Sequence, residues 1–221
     1  MKFTRLAMLV CGIGISLGGM AALAVADMPP HASNQTGAVP AAPPVAEVRA
    51  AMQKLWEDHI TYTRNYIISA LPDLPDKDAV AARLLANQDE IGNAVKPYYG
   101  DAAGDKLASL LRDHITIATE VVAAAKAGDK AQLGDAQEKW NANGKDIAAF
   151  LSGANPHWPK ATLQAMLQKH LNLTTAEVVA RLNKDWAADI RAYDEGHEHM
   201  RMFADTLTNG IAKQFPSKIG K

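Results

Sequence analysis

The sequence predicts an all-α protein, an antiparallel helical bundle of about six helices arranged as three repeated helical hairpins. From Val48 onward, apolar residues recur at alternating spacings of three and four, as on the packed face of a helix. Aromatic residues are only 6% of the 221 residues and alanine is abundant, which favours closely packed helices over strands. Similar short stretches also recur about 55 residues apart, which indicates repeated hairpins.

Residues 1–26 have the features of a signal peptide. Lys2 and Arg5 give a positive start, and an apolar run follows over residues 6–22. The small residues at 24–26 form a cleavage site. We therefore expect an exported protein, periplasmic or secreted, with no membrane span in the mature chain. A retained membrane anchor is the alternative.

The only cysteine, Cys11, lies in the leader, so the mature protein would contain no disulfide and no thiolate ligand. The chain after residue 26 divides into three parts. Residues 27–46 are rich in proline and alanine, and their composition predicts a disordered tether. Residues 47–216 are predicted to form the helical bundle, and residues 217–221 a C-terminal tail.

Proline, glycine and polar clusters divide the helical pattern into six segments. The interruptions lie near Pro72–Pro75, Pro97–Gly100, Gly128–Asp129, Asn155–Pro159 and Asn183–Asp185. Within the fifth segment, Thr174 to Glu177 has the pattern of a capping box, which predicts a kink or a restart of that helix.

The repeat is clearest around the first two histidines of the bundle. Residues 58–61, Asp-His-Ile-Thr, recur in the same order as residues 113–116. A weaker third copy places His170 at nearly the same distance after the histidine of the second copy. In the alternate helices, Asn87 is followed by Asn143, again at nearly this spacing. The spacing predicts three hairpins of about equal length.

Each predicted helix carries one imidazole or amide within its apolar stripe. These residues recur at nearly equal intervals of about 28 residues: His59, Asn87, His114, Asn143, His170 and His197. Because the turns fall near the middle of each interval, equal distances from a turn mean equal heights, at about 1.5 Å per residue. We expect most of these side chains to be buried in one layer across the bundle.

Two interpretations of this layer remain open. In the structural one, buried histidine and asparagine side chains hydrogen-bond to each other and fix the register of the helices. In the functional one, neutral imidazoles converge on a transition metal, Cu or Zn, or on a small ligand. The metal ligands would then be His59, His114, His170 and His197, with Asn87 and Asn143 lining the cofactor site.

The segment from His197 to Met202 combines imidazoles with thioethers. Soft thioethers favour Cu(I), and imidazoles suit both Cu and Zn. Alternatively, Met200 is a core residue, with His199 and Met202 on the flank of the helix.

Charge and motifs exclude several classes of function. The formal net charge of −1 gives no electrostatic reason to expect nucleic-acid binding. The only Gly-x-Ser-x-Gly, residues 14–18, lies within the leader, and no Cys-x-x-Cys-His or paired Glu-x-x-His motif occurs, so no catalytic residue is assigned. The main hypothesis is an exported binding or interaction protein, whose partner is a metal ion, a small ligand or another envelope protein. The alternatives are a structural or stress-related envelope protein, whose polar layer only specifies the fold, and a cofactor-free enzyme.

The run from Asn87 to Gly100, together with Arg112 to Ile115, resembles a family of exported bacterial all-helical proteins that are largely uncharacterised. The likeness extends from about Leu55 to Pro216. It implies a helical fold and export, and it implies no catalytic residues. Some members carry a glycosyltransferase label, but nothing in this sequence indicates a nucleotide-sugar fold.

Overall fold

A computed structural model describes residues 42–220, and this part of the chain forms six α-helices joined by short turns. Their bounds are α1 Val45–Ala70, α2 Lys77–Tyr99, α3 Asp101–Ala127, α4 Lys130–Ala154, α5 Lys160–Leu182 and α6 Trp186–Gln214. The predicted all-α bundle is confirmed. The predicted signal peptide, residues 1–26, and most of the predicted tether lie outside the described residues.

The six helices close into a ring. Each helix packs against the next one in sequence, and α6 packs against α1. The short turns make neighbours antiparallel, so α1, α3 and α5 run in one direction and α2, α4 and α6 in the other. Contacts of α3 with α1 and α5 also cross the centre of the ring. The inner faces of the odd-numbered helices therefore meet there.

Glycines allow two of the closest contacts in the bundle. Gly92 on α2 faces Gly104 on α3, and a Cβ added to Gly92 would lie 2.6 Å from the carbonyl oxygen of Gly104. The indole of Trp158 packs directly over Gly210 on α6 and donates a hydrogen bond to the carbonyl oxygen of Thr206 at 3.2 Å. Larger residues at either glycine would force the neighbouring elements apart.

The bundle is longer at both ends than the sequence predicted. The backbone N–H of Val45 donates to the carbonyl oxygen of Gly220 at 3.1 Å, and the N–H of Gly220 donates to Pro43 at 2.9 Å. Ile219 is buried among the core residues. The bundle therefore includes residues 42–46 of the predicted tether and residues 217–220 of the predicted tail.

The predicted interruption of α5 is wrong, because α5 is continuous through Thr174 and Glu177. The Thr174 hydroxyl donates to the carbonyl oxygen of His170 at 3.0 Å, one turn earlier in the same helix. Glu177 accepts a hydrogen bond from Arg64 on α1 at 2.7 Å. The Thr174 side chain is thus hydrogen-bonded within α5, and the Glu177 side chain is hydrogen-bonded to α1.

The apolar stripe that predicts a buried His197 also contains Trp186 and Ile190, and this stripe is wrong in the first half of α6. Trp186 and Ile190 are both 53% exposed, whereas Asp189 is only 2% exposed. Arg64 and Arg181 hydrogen-bond to Asp189 and draw this side of α6 inward. A buried ion-pair network therefore replaces the apolar contacts that were expected at this end.

Hydropathy gives one further result. Among residues 42–220, no helix is both long enough and apolar enough to cross a membrane.

Candidate histidine centre

Three histidines from the odd-numbered helices meet at the centre of the bundle. His59 on α1, His114 on α3 and His170 on α5 are 2%, 2% and 3% exposed. The His59 ring centroid lies 6.4 Å from that of His114 and 5.4 Å from that of His170. The third distance, from His114 to His170, is 5.8 Å. We refer to these residues as the histidine centre.

His197, the fourth predicted metal ligand, is not part of this centre. It is half-buried on α6, and its ring contacts Tyr193 at a centroid distance of 6.0 Å. The buried histidine of α6 is His199, which is 4% exposed. Two residues correspond to about 200° of rotation around a helix, so the different phase of α6 turns His197 away and His199 inward.

One side chain of each even-numbered helix hydrogen-bonds to the odd-numbered helix that precedes it in sequence. Each of these side chains donates to the carbonyl of the residue four positions before a histidine of the centre. The bonds are Asn87 Nδ2 to Leu55 at 3.0 Å, Asn143 Nδ2 to Leu110 at 3.0 Å, and His199 Nε2 to Met166 at 2.7 Å. The structure therefore places Asn87 and Asn143, the predicted cofactor-lining residues, in contacts that join helices.

Both ring nitrogens of His114 are engaged in hydrogen bonds. Trp140 donates its indole N–H to Nε2 at 3.2 Å, so Nε2 must be the acceptor. Nδ1 therefore carries the proton and donates to Asn143 Oδ1 at 2.8 Å. Burial lowers the pKa of His114 to about 4, so its ring is neutral at neutral pH. To bind a metal, His114 would have to break one of these hydrogen bonds.

His59 and His170 have a different environment. Within the described residues, the Nδ1 atoms of both histidines are buried without a hydrogen-bond partner. Burial, and then His114, lowers the pKa of His59 to about 3, while Gln88 acts in the opposite direction. Burial, followed by His59, His114 and His199, also holds the pKa of His170 well below its ordinary value. Both rings are therefore neutral and retain a lone pair.

The polar atoms around His59 are also incompletely satisfied. Gln88 donates to Leu84 at 2.7 Å and to Asn87 at 3.2 Å. Gln88 Oε1 and Trp56 Nε1 are buried and lack a hydrogen-bond partner in the described part of the chain. A cavity of about 20 Å³, which is room for about one water molecule, borders His170 on another side. The α1–α2 side of the histidine centre thus has unused hydrogen-bonding capacity.

The geometry reduces the number of candidate metal ligands from four to two. Across residues 42–220, no group of three or more His, Cys, Asp or Glu side chains is arranged to hold a metal ion. His197 lies elsewhere and His114 is engaged at both nitrogens. His59 and His170 therefore remain as the candidate ligands, and we call them the His59–His170 pair.

Two features of this region were not predicted from the sequence. His199 occupies the position expected for His197, and its distance from Asn143 along the chain repeats the distance from Asn87 to Asn143. The second feature is the buried network of Arg64, Glu177, Asp189 and Arg181. Burial is the main factor that raises the pKa of Glu177 to about 7. No local motif in the sequence indicates this network.

No family model, no curated protein and no solved structure matches this chain. The resemblance to an exported bacterial family therefore stays an expectation.

Proposed function

We propose that this chain is an exported helical binding protein that holds one transition-metal ion between His59 and His170, with Cu(I) as the best match. The observation that carries the proposal is the His59–His170 pair itself, two buried and neutral imidazoles with centroids 5.4 Å apart. Two imidazoles that share one ion at about 2.0 Å place their centroids roughly 5 Å apart at a tetrahedral angle and roughly 6.3 Å apart in a linear arrangement. The observed separation lies within this range, and a linear arrangement would need a shift of roughly 1 Å between the two rings.

Charge and ligand number favour Cu(I) over Zn²⁺. Structural zinc sites are four-coordinate, whereas the pair supplies two nitrogen ligands. A divalent ion buried without a compensating anion would also carry a large desolvation penalty. Cu(I) has half that charge and accepts as few as two ligands, and imidazole nitrogens suit it. Of the two metals that the sequence predicted, copper is therefore the better match to the His59–His170 pair.

The surrounding side chains would support the site without contacting the ion. Asn143 and Trp140 hold His114 in a single tautomer and orientation, so its ring forms one fixed wall of the site. Asn87 ties α2 to the turn of α1 that precedes His59. Export remains part of this proposal and is supported by the leader-like residues 1–26.

Metal binding can be tested on untagged protein that has been stripped of metal. Cu(I), supplied anaerobically with ascorbate, should bind at one equivalent and raise the melting temperature, because it binds only the folded state. Gln substitution at His59 or His170 should abolish the shift. The same substitution at exposed His157 is the matched control and should leave the shift intact. An equal copper response in wild type and His170→Gln would refute the proposal.

A structural role for the polar layer is the second candidate, as in an envelope or stress protein without a metal. The observation that favours it is His114, whose ring is fully satisfied by Trp140 and Asn143. In this case the histidine centre fixes the register of the helices, and neither Cu(I) nor Zn²⁺ should shift the melting temperature of wild type. The copper titration therefore separates the two candidates.

A further inference from the structure

We infer that His199 captures Cu(I) at the α5–α6 face of the bundle and passes it to His170. The inference rests on the proposed function and adds a route by which the ion reaches the His59–His170 pair. It assigns a role to the imidazole that stands where the other two hairpins carry asparagine.

The hydrogen bond of His199 fixes which of its nitrogens is available. A carbonyl oxygen can only accept, so the 2.7 Å contact with Met166 requires the proton to be on Nε2. Burial lowers the pKa of His199, so the ring is neutral and Nδ1 carries a lone pair. Donation of one ring N–H to a backbone carbonyl is the usual way in which a metal-binding histidine is oriented.

His199 lies against the turn of α5 that carries His170. Met166, which accepts its hydrogen bond, precedes His170 by four residues, which is about 6 Å along the helix. The proximity of His199 also contributes to the lowered pKa of His170. His199 is itself only 4% exposed, and His170 is 3% exposed, but Met166, which accepts the hydrogen bond of His199, is half-buried. Access from solvent to His199 would therefore run past Met166, on the turn of α5 that precedes His170.

Two thioethers lie on the same face of the molecule. Met202 is 45% exposed and follows His199 by three residues, so both lie on one side of α6. The Thr206 hydroxyl contacts Met166 Sδ at 3.9 Å and donates to the carbonyl oxygen of Met202 at 2.9 Å. Soft sulfur donors match Cu(I), so this face provides ligands from solvent inward to His199.

The asparagines of the other two hairpins indicate which substitution of His199 is conservative. Asn87 and Asn143 make the equivalent bond to a backbone carbonyl through an amide, which is a poor ligand for Cu(I). His199→Asn should therefore keep the bond to Met166 and remove the lone pair of the imidazole. Met202→Leu alters only an exposed thioether and serves as a second variant whose folding is not in question.

Transfer of Cu(I) from a coloured chelator to the full-length apoprotein, followed anaerobically by stopped-flow absorbance, tests the inference. His199→Asn should bind one equivalent at unchanged affinity but load several-fold more slowly than wild type, because it removes the imidazole through which the ion reaches His170. Met202→Leu should slow loading by a smaller factor, and His157→Asn should load like wild type. Circular dichroism melts check that each variant is folded.

The outcomes separate the two claims. Wild-type loading rates in both His199→Asn and Met202→Leu would overturn the role of His199 while leaving the His59–His170 pair intact. If His199→Asn does not fold, a wild-type rate in Met202→Leu alone overturns the route. If wild type takes up no Cu(I), the proposed function fails and the route fails with it.

Discussion

Mild acid should destabilise this bundle steeply, because its centre holds three histidines that are neutral when folded. Burial lowers the pKa of His59 to about 3 and that of His114 to about 4, and it lowers the pKa of His170 strongly as well. In the unfolded chain the three rings regain an ordinary pKa of about 6.5. Their contribution to stability is therefore complete above pH 6.5 and is lost progressively as the pH falls below it.

Glu177 acts in the opposite direction. Its pKa is raised to about 7 in the folded protein, so the folded state holds this proton more tightly than the unfolded state, where the pKa is about 4.5. The stability gained from its protonation is present below pH 4.5 and is lost as the pH rises through 7. At pH 5.5, unfolding should take up about three protons at the three central histidines and release about one from Glu177. His199, whose pKa is also lowered by burial, acts in the same direction as the central histidines.

The net uptake of about two protons sets the expected magnitude. The free energy of unfolding should change by roughly 2 to 3 kcal/mol per pH unit near pH 5.5. Between pH 7 and pH 5, the histidines together remove roughly 6 kcal/mol, and Glu177 returns about 2 kcal/mol. The net loss is a large part of the total stability of a typical domain, which is roughly 5 to 15 kcal/mol. Acid unfolding is therefore expected near pH 5 or below.

Urea unfolding of the metal-free protein, followed by circular dichroism between pH 5 and 7, measures this slope directly. Glu177→Gln should steepen the slope to about 4 kcal/mol per pH unit, and His114→Gln should reduce it by about 1.4 kcal/mol per pH unit. A free energy of unfolding that stays constant from pH 7 to 5 would show that the three rings are not held neutral, and would refute the reasoning.

Four further substitutions test the packing and one buried hydrogen bond by thermal and urea melts. Gly92→Ala should cost about 1 to 3 kcal/mol, because its Cβ would lie 2.6 Å from a facing carbonyl oxygen; no loss would contradict the close approach of α2 and α3. Gly210→Ala should cost a similar amount through the indole packed on it, whereas Gly134→Ala, with nothing within 4 Å, should stabilise the protein by about 0.5 to 1 kcal/mol. His114→Leu should cost about 1 to 3 kcal/mol because it leaves Asn143 Oδ1 without its donor; an unchanged melt would argue against that hydrogen bond.

The fold could be predicted because the local signals and the tertiary structure agree. Each of the five predicted breaks between helices lies within a few residues of an observed turn, and the long apolar stripes between them leave little alternative to helices. The disagreements occur where tertiary contacts override the local pattern. Thr174 and Glu177 look like a helix start, but Arg64 on the distant helix α1 takes up the carboxylate. Such a partner is not visible in a short window of sequence.

Five positions of the polar layer could be predicted from their spacing alone. His59, Asn87, His114, Asn143 and His170 are all buried, and each lies where an apolar stripe continues on both sides. On α6 the sequence predicted His197, whereas the buried histidine is His199, two residues later. The apolar residues in the first half of α6 are compatible with either helix face being buried. The ion pairs of Asp189 select the phase in which His199 faces inward. The hydrogen bonds that distinguish the three central rings could not be predicted from the sequence.

The difference between His114 and the pair has a simple origin in the neighbouring helices. Trp140, which occupies Nε2 of His114, stands three residues before Asn143. The residues that stand three before Asn87 and His199 are Leu84 and Gly196, and neither side chain carries an N–H group. In the first and third hairpins, therefore, the residue equivalent to Trp140 has no N–H group to donate to a histidine ring. The same arrangement of helices produces one histidine that is committed to structure and two whose rings remain available for a ligand.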